Sequence, residues 1–204
     1  MLSIGVFLKY PEPGNVKTRL AISVGEEAAA RTYERMVRQV LALVDTLAKE
    51  RFAPHLFYDP KHEAEAYREL GPIVQWPLHP QSEGGLGDRL KKASLELSIS
   101  GFPFAFIGTD CVDMKPAHFE GTFGALKQGA DLVLGPATDG GYYLIALKQP
   151  RSELFEGIAW STDTVTSQTL EKAKVAGLRV HLLEELEDID DKAALDRHPE
   201  LLDY

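Results

Sequence analysis

A short apolar run that ends in acidic residues places the strongest constraint on how this chain can fold. Residues 104–108 carry almost no polarity, and Asp110 and Asp113 follow directly after them. Such a run is typical of a parallel strand that is buried on both faces. Ligands of open α/β sheets bind at the carboxyl ends of the strands. The segment therefore predicts a central strand with carboxylates at the ligand-binding edge of a sheet.

Strand-like and helix-like patterns alternate along the chain. The predicted strands cover residues 3–9, 55–59, 73–77, 104–108, 130–137, 142–148 and 179–185. The predicted helices cover 62–70, 88–98, 116–129, 161–177 and 191–202, with a long helix whose apolar stripe runs from Tyr33 to Leu47. This alternation favours an α/β fold with a mostly parallel sheet. The link between 130–137 and 142–148 is too short for a helix, which predicts one antiparallel strand in a mixed sheet.

Bulk composition disfavours several classes of protein. The chain has 204 residues without a linker or internal repeat, so one domain over residues 1–204 is expected. Its 31 acids outnumber its 22 bases, and a net charge of −9 argues against general nucleic-acid binding. Cys111 is the single cysteine, which precludes an intrachain disulfide and suggests a reducing compartment. Without a signal-peptide pattern or an apolar run of spanning length, a cytoplasmic protein with no membrane span is expected.

The loop after the first predicted strand combines turn residues with two cations. Pro13 and Gly14 shape the loop, and Lys17 and Arg19 follow within PEPGNVKTRL. Backbone N–H groups and cations in such a loop can share a phosphate. The alternative is that Gly14 only forms a turn and that both cations are solvated. The Walker A pattern is absent because Val16 precedes Lys17, and the Rossmann glycine fingerprint is absent as well.

Acidic residues follow two of the predicted strands. Asp110 and Asp113 come after the central strand, and the segment EDIDD at 187–191 comes after the last one. At the same edge of one sheet, these carboxylates can converge on Mg²⁺ or Mn²⁺, which prefer oxygen ligands. Local roles are the alternative, since Asp110 and Asp113 can belong to a solvated turn and Asp190 or Asp191 can cap the terminal helix.

Two glycine-rich segments are further candidates for substrate contact. In TDGGYY, Gly140 and Gly141 follow Asp139, so a substrate could lie against the backbone there, although Asp-Gly is also typical of a tight hairpin turn. In EGGLGDRL, Gly85 and Gly87 precede a helix start whose exposed N–H groups can meet a base or phosphate. An ordinary flexible loop is the alternative for this second segment.

Several other reactive or aromatic residues receive simpler interpretations. Ser161 or Thr162 is expected to cap the helix that follows, and Trp160 to pack in the core or to line an acceptor pocket. Cys111 lies beside Asp110 without a histidine near it in sequence, which favours a small buried residue over a nucleophile. The six histidines are scattered and show no metal-ligand spacing.

Taken in order, these motifs resemble a known family. PGNVKTRL, GTDCVDM, GPATDGGYYLIAL, FEGIAWST and DIDD occur in the order seen in the bacterial DUF2064 family, also labelled radical-SAM/selenodomain-associated transferases. That family is similar to the phospholactate and molybdenum-cofactor guanylyltransferases. The resemblance covers nearly the whole chain. It implies a three-layer α/β/α sandwich of the glycosyltransferase-A (nucleotide-diphospho-sugar transferase) type.

The resemblance also implies roles for residues at matching positions. A nucleotide would lie across the first half of the sheet, with Mg²⁺ or Mn²⁺ on its phosphates. Lys17 and Arg19 match basic residues after the first strand and would act in catalysis together with Asp110. Asp110 and Asp190 match the metal-binding acids of the fold.

The expected nucleotide- or substrate-binding set joins the residues implied by the motifs with those implied by the resemblance. Gly140 and Gly141 match a glycine pair beside the donor phosphate or the acceptor, and Asp113 matches the acid three residues beyond the metal ligand. The full set is Pro13, Gly14, Lys17, Arg19, Gly87, Asp113, Asp139, Gly140, Gly141, Trp160 and Ser161.

Two catalytic functions and one binding function fit these residues. The first is a metal-dependent transferase that takes a nucleotide-diphospho-sugar donor and passes the glycosyl group to an acceptor hydroxyl. The second is a nucleotidyltransferase, in which a phosphorylated acceptor attacks a nucleoside triphosphate and pyrophosphate leaves. The third is a nucleotide-binding module without turnover. The first is favoured because the loop after the first strand departs from the L-x-x-G-x-x-x-R-M pattern of nucleotidyltransferases.

Overall fold

A seven-stranded sheet forms the centre of the computed structural model, which describes residues 1–202. The strands are β1 (Leu2–Leu8), β2 (Phe52–Tyr58), β3 (Leu78–Pro80), β4 (Phe104–Ile107), β5 (Leu132–Pro136), β6 (Tyr142–Leu147) and β7 (Val180–Leu182). Their order in the sheet is β3-β2-β1-β4-β6-β5-β7. β6 is antiparallel to β4 and β5, and the other pairs are parallel. The predicted mixed, mostly parallel sheet is confirmed.

Helices connect most of the strands. They are α1 (Thr18–Val24), α2 (Glu26–Asp45), α3 (Ala64–Arg68), α4 (Leu86–Ser98), α5 (Pro116–Lys127), α6 (Val165–Val175) and α7 (Lys192–Asp196). Two short 3-10 helices cover Ser152–Leu154 and Pro199–Leu201. Across residues 1–202, no helix is both long enough and apolar enough to cross a membrane.

Side chains of the central strand alternate between two hydrophobic cores. In β4, Ala105 and Ile107 join the core that also contains α2 and α5, whereas Phe104 and Phe106 join the core that contains α4 and α6. All four side chains are buried, which explains why this strand is apolar at every position. Helices therefore cover both faces of the sheet, and the predicted three-layer α/β/α sandwich is confirmed.

The third predicted strand was placed too early in the sequence. The strand expected at 73–77 is instead β3, and Ile73 and Trp76 lie buried in the irregular segment before it. The indole Nε1 of Trp76 donates a hydrogen bond to Oδ1 of Asp45 on α2, at 3.2 Å. The apolar character of this segment thus reflects packing against a helix rather than strand pairing.

The predicted helices at 161–177 and 191–202 are among those that are shorter than expected. The helix expected at 161–177 begins at Val165, so neither Ser161 nor Thr162 caps it. Ser161 instead has φ +63°, in the left-handed region. The terminal helix is reduced to α7, and its predicted cap is confirmed, because the Asp191 carboxylate accepts a hydrogen bond from the N–H of Ala194 at 2.8 Å.

Backbone contacts draw three loops together at the carboxyl edge of the sheet. Ala137 pairs with Leu186 in an isolated parallel bridge just beyond β5. The N–H of Thr138 donates to the carbonyl of Leu186 at 3.0 Å, and the N–H of Ile189 donates to the carbonyl of Asp110, also at 3.0 Å. The acidic segments that follow β4, β5 and β7 therefore meet at one place.

Candidate functional site

The ammonium group of Lys17 lies between two carboxylates at this edge. Its Nζ is 2.6 Å from Oδ1 of Asp110 and 2.7 Å from Oδ1 of Asp190. The Lys17 side chain is 5% exposed, whereas that of Asp110 is 51% exposed. Arg19 adds an exposed cation, with Nη1 3.4 Å from Oδ2 of Asp190. The structure thus brings these four sequence-predicted residues into one cluster.

Lys17 has a left-handed backbone conformation, and its side-chain amine is protonated. It lies directly before α1 with φ 47° and ψ 44°, a left-handed conformation that costs a non-glycine residue about 1–2 kcal/mol. Burial alone would lower the pKa of Lys17, but Asp110 and Asp190 outweigh that effect and raise the pKa above its ordinary value. The amine is therefore a permanent cation at neutral pH.

Three carboxylates form a second group beside Lys17. One oxygen from each of Asp139, Asp188 and Asp190 lies within 4.8 Å of the other two. Burial, followed by the charges of Asp139 and Asp190, raises the pKa of Asp188 from 3.8 to about 6. Asp188 lies within the predicted acidic segment 187–191 but was not named among the expected site residues. Its position two residues before Asp190 was the available signal, because alternate residues of an extended segment point to the same side.

A cavity of about 730 Å³ opens beside Lys17. It runs along the ends of β1 and β4 to the start of α4, where Gly84 and Gly85 of the preceding loop and Arg89 of the helix line it. Five residues of the expected catalytic, binding and metal sets contribute to its wall: Lys17, Arg19, Asp110, Ser161 and Asp190. This larger cavity therefore joins the cationic loop to the glycine-rich loop.

Arg89 is fixed in the wall of the larger cavity by a buried glutamine. Gln81 is 8% exposed, and its Nε2 donates to the carbonyls of Leu8 and Phe57 at 3.1 and 2.8 Å. Its Oε1 accepts from Nη1 of Arg89 at 3.1 Å, while Nε of Arg89 donates to the carbonyl of Gly84 at 3.1 Å. No sequence pattern indicates the role of Gln81, because that role depends on contacts with residues distant along the chain.

A smaller cavity of about 270 Å³ adjoins the larger one. The ring of Trp160 in its wall packs edge-on against Tyr142, with centroids 6.3 Å apart. Asp110, Asp190 and Ser161 line both cavities. The predicted residues in its wall are Asp110, Asp139, Gly141, Trp160, Ser161 and Asp190. Lys17 therefore bridges two carboxylates at the junction of the two cavities.

Two predicted glycines, Gly87 and Gly140, lie behind the cavity walls and do not line the cavities. A Cβ on Gly87 would lie 2.6 Å from the carbonyl oxygen of Phe155 and 2.8 Å from Nε1 of Trp160. Gly140 has φ +88°, and a Cβ there would collide with the backbone of Asp163. Both glycines permit close packing, which is why neither contributes to a cavity wall.

The remaining predicted residues lie apart from the cavity walls. Gly14 has φ +79° and turns the loop that also contains Pro13. Oδ2 of Asp113 is 3.8 Å from Nε2 of His198, which places this acid near the end of the chain. None of these three predicted residues lines either cavity.

The donor set at the carboxyl edge suits a hard divalent cation. Four carboxylates face one ammonium and one guanidinium group, which leaves two negative charges in excess when all are ionised. Mg²⁺ and Mn²⁺ prefer such oxygen ligands. Asp139, Asp188 and Asp190 fit this requirement. Asp110 lies outside this group of three, and its predicted role as a metal ligand stays a prediction.

Comparison with protein families gives one match. A family described as "Uncharacterized protein conserved in bacteria (DUF2064)" matches residues 42–162, which is more than half of the chain. No curated protein matches the sequence.

Solved structures place the fold among the transferases. A protein from Desulfovibrio desulfuricans G20, provisionally described as a nucleotide-diphospho-sugar transferase, is 31% identical with a TM-score of 0.85, covering 98% of this chain and 96% of that one. A 4-diphosphocytidyl-2C-methyl-D-erythritol synthase is 8% identical with a TM-score of 0.63, covering 99% and 98%. Glucosyl-3-phosphoglycerate synthase from Mycobacterium tuberculosis, solved with Mn²⁺, UDP and glucosyl-3-phosphoglycerate, is 11% identical with a TM-score of 0.57, covering 98% and 75%. The predicted nucleotide-diphospho-sugar transferase fold is confirmed.

Proposed function

Because the chain belongs to the bacterial DUF2064 family and has the fold of glycosyl- and nucleotidyltransferases, we propose that it is a metal-dependent transferase that uses a nucleotide-diphospho-sugar donor. The glycosyl group would pass to an acceptor in the smaller cavity. One observation carries this proposal, namely the buried ammonium of Lys17 between Asp110 and Asp190 where the two cavities join.

The larger cavity suits the nucleotide part of the donor. Its volume of about 730 Å³ lies within the usual range for small-molecule sites, about 300–1,000 Å³. Lys17 and Arg19 supply positive charge for a diphosphate at one end. At the other end, Arg89 and the backbone of Gly84 and Gly85 can donate hydrogen bonds to the edge of a base. The nucleotide would therefore lie along the ends of β1 and β4.

Asp139, Asp188 and Asp190 would hold the divalent ion, because their oxygens are close enough to share one cation. When bound, Mg²⁺ or Mn²⁺ supplies Lewis-acid stabilisation of negative charge on the diphosphate. The Mn²⁺ and UDP present in the mycobacterial synthase support this class of ion for the fold.

The side chains around the junction would bind and orient both substrates. Negative charge builds on the diphosphate as it leaves the sugar carbon, and a fixed cation at that place stabilises it without reorganisation. Lys17 fits this role because two carboxylates already fix its ammonium group. Trp160 and Tyr142 provide an apolar wall for the acceptor, and Ser161 offers a hydroxyl beside it.

A panel of nucleotide sugars with Mg²⁺ or Mn²⁺ tests this proposal directly. We expect nucleoside-diphosphate release from at least one donor, and we expect a chelator to abolish it. Asp190→Asn should lower the rate by at least about a hundredfold, because it removes charge from both the metal set and the Lys17 pair. Asp196→Asn makes the same chemical change on the surface of α7, where Asp196 pairs with Lys192, and should leave the rate unchanged.

The same assay separates the other functions. Equal rates for Asp190→Asn and Asp196→Asn would contradict the placement of the site. Metal-dependent nucleotide binding without release of any product would favour a binding module.

Nucleotidyl transfer is the second candidate, and the same lysine supports it. A buried, permanently charged ammonium at the cavity junction is equally suited to the α-phosphate of a nucleoside triphosphate. A phosphorylated acceptor would attack the α-phosphorus, and pyrophosphate would leave. Pyrophosphate release from nucleoside triphosphates, with no turnover of nucleotide sugars, would identify this reaction.

The smaller cavity limits the size of the acceptor that we propose. A volume of about 270 Å³ bordered by Asp139, Ser161 and Thr162 favours a small polar molecule that carries a hydroxyl group.

A cytoplasmic location also stays a prediction, and it is supported by the lone cysteine, Cys111, which is buried.

A further inference from the structure

Two histidines on adjacent strands face each other near the outer edge of the sheet. Nδ1 of His55 on β2 is 3.1 Å from Nε2 of His79 on β3. His79 pairs in register with Phe57, and His55 lies two residues before Phe57, so both imidazoles are on one face. Neither histidine lines the larger or the smaller cavity. The two histidines are 24 residues apart in sequence, so the spacing of histidines along the chain does not reveal the pair.

Glu96 and Phe57 fix the orientation of His79. Oε2 of Glu96 on α4 is 3.5 Å from Nδ1 of His79, which favours the tautomer with its proton on Nδ1. The ring of Phe57 stacks on that of His79, with centroids 4.8 Å apart and planes 17° from parallel. In this arrangement, Nε2 of His79 presents its lone pair toward His55. A carboxylate behind a histidine is also the usual support of a metal-bound imidazole.

One proton lies between the facing nitrogens of the two imidazoles, Nδ1 of His55 and Nε2 of His79. With the proton of His79 on Nδ1, the proton between them belongs to Nδ1 of His55. Neutral imidazole is the form that binds metals. Binding here requires no net loss of a proton, because the N–H shared by the pair can shift from Nδ1 to Nε2 of His55.

We propose that His55 and His79 are the protein ligands of a transition-metal ion of the Zn²⁺ class, with Glu96 orienting His79 and water completing the coordination. Zn–N bonds of about 2.0–2.1 Å in tetrahedral geometry hold two nitrogens about 3.3 Å apart. The observed 3.1 Å is close to that separation. The His79 side chain is 27% exposed and that of Glu96 34%, so a hydrated ion can reach the pair.

This site differs in chemistry and in position from the carboxylate group at the cavity junction. Imidazole nitrogens favour Zn²⁺, Ni²⁺ and Cu²⁺, whereas the oxygens of Asp139, Asp188 and Asp190 favour Mg²⁺ or Mn²⁺. An ion between His55 and His79 would tie β3 to β2. Because β3 continues directly into Gln81, the ion would brace the segment that holds Arg89 in the larger cavity.

Titration calorimetry with Zn²⁺ tests the site without reference to activity. We expect wild-type protein to bind one Zn²⁺ in the presence of excess Mg²⁺, which occupies carboxylate sites. His55→Gln and His79→Gln should each weaken Zn²⁺ binding by more than about tenfold, and Glu96→Gln by about tenfold, as expected for an outer-sphere partner. His62→Gln is the matched control. Nε2 of His62 also lies beside a carboxylate, 3.3 Å from Oε2 of Glu12, but the His62 ring stacks on Tyr10 instead of facing a second imidazole.

Two further measurements keep the test decisive if a variant is destabilised. Circular dichroism of each metal-free variant shows whether it is folded. Electron paramagnetic resonance of the Cu²⁺ complex should show coupling to two imidazole nitrogens, and this coupling should be lost in His79→Gln. Unchanged Zn²⁺ affinity in folded His55→Gln and His79→Gln would overturn the proposal, as would Zn²⁺ binding that disappears in Asp188→Asn instead.

Discussion

Lys17 is the single residue on which the proposed phosphate site most depends. Replacing it by Met keeps much of the length of the side chain but removes the cation between Asp110 and Asp190. We expect Lys17→Met to weaken nucleoside-diphosphate binding by about 1.5–3 kcal/mol, roughly tenfold to a hundredfold, because hydrogen bonds to charged groups have that strength. Titration calorimetry with a nucleoside diphosphate and with the bare nucleoside measures the effect.

Binding of the bare nucleoside should change little in Lys17→Met, because the lost contact is to phosphate. Lys91→Met provides the control for net charge, since Lys91 pairs with Asp88 on the outside of α4 and lines neither cavity. An equal loss for nucleoside and nucleotide would contradict the assignment of Lys17 to the phosphates.

Asp188 gives the protein a pH dependence whose sign follows from its burial. The folded-state pKa of about 6 lies above the unfolded value of 3.8, so the folded state binds the proton more tightly. The stability gained from this proton is complete below about pH 4 and is lost as the pH rises through about 6. In metal-free protein at pH 7.5, Asp188→Asn should raise the free energy of unfolding by about 1 kcal/mol, after allowance for partial solvent screening.

Urea unfolding with a chelator at pH 7.5 and at pH 4 measures this difference. The stabilising effect of Asp188→Asn should nearly vanish at pH 4, where the wild-type carboxyl is protonated in the folded state. Asp196→Asn, at an exposed surface position, should show no such dependence. A stabilisation of the same size at both pH values would mean that charge on Asp188 is not its cause.

Among the secondary-structure elements, the contact between α4 and the segment before α6 decides the shape of the smaller cavity. Gly87 in α4 allows Trp160 and the carbonyl of Phe155 to approach its backbone. Gly87→Ala forces these groups to move, and overpacking of this kind costs about 1–3 kcal/mol. We expect the thermal midpoint to fall and Trp160 fluorescence to shift as its packing changes.

Gly124→Ala is the matched control for this substitution. Gly124 also lies within a helix, α5, but a Cβ there meets nothing within 4 Å. Alanine should therefore stabilise the protein by up to about 1 kcal/mol, through its higher helix propensity. A neutral effect of Gly87→Ala would show that the loop around Trp160 adjusts without strain.

Predictions at the scale of elements succeeded where the hydrophobic pattern was continuous. The uniformly apolar run of β4 and the apolar stripe of α2 each indicate one element directly, because the residues of each pattern are buried along the whole segment. The strand predicted at 73–77 is wrong because Ile73 and Trp76 are buried without regular structure. Ser161 was mistaken for a helix cap because a left-handed backbone at a serine has no signature in sequence.

For the whole molecule, the order of strands explains which parts of the site were foreseeable. Carboxylates after β4 and β7 were expected at one edge, since carboxyl ends of parallel strands share it. Asp188 was not singled out within the acidic segment 187–191, and the Gln81–Arg89 pair was missed, because their importance comes from burial and from contacts across the sheet. The pairing of His55 with His79 likewise depends on the register of β2 and β3.

Asp190 belongs to two groups of charges, and this affects how strongly one ligand binds when the other is present. Its carboxylate is a counterion of Lys17 and also a member of the acidic triplet. An anion that binds Lys17 weakens the ion pair between Lys17 and Asp190, so that Asp190 can bind a cation more readily. A cation bound to Asp190 weakens the same ion pair, so that Lys17 can bind an anion more readily. Thermodynamic reciprocity requires each ligand to raise the affinity of the other by the same factor. Donor and divalent ion would therefore bind cooperatively, and without them Lys17 and Asp190 stay paired with each other.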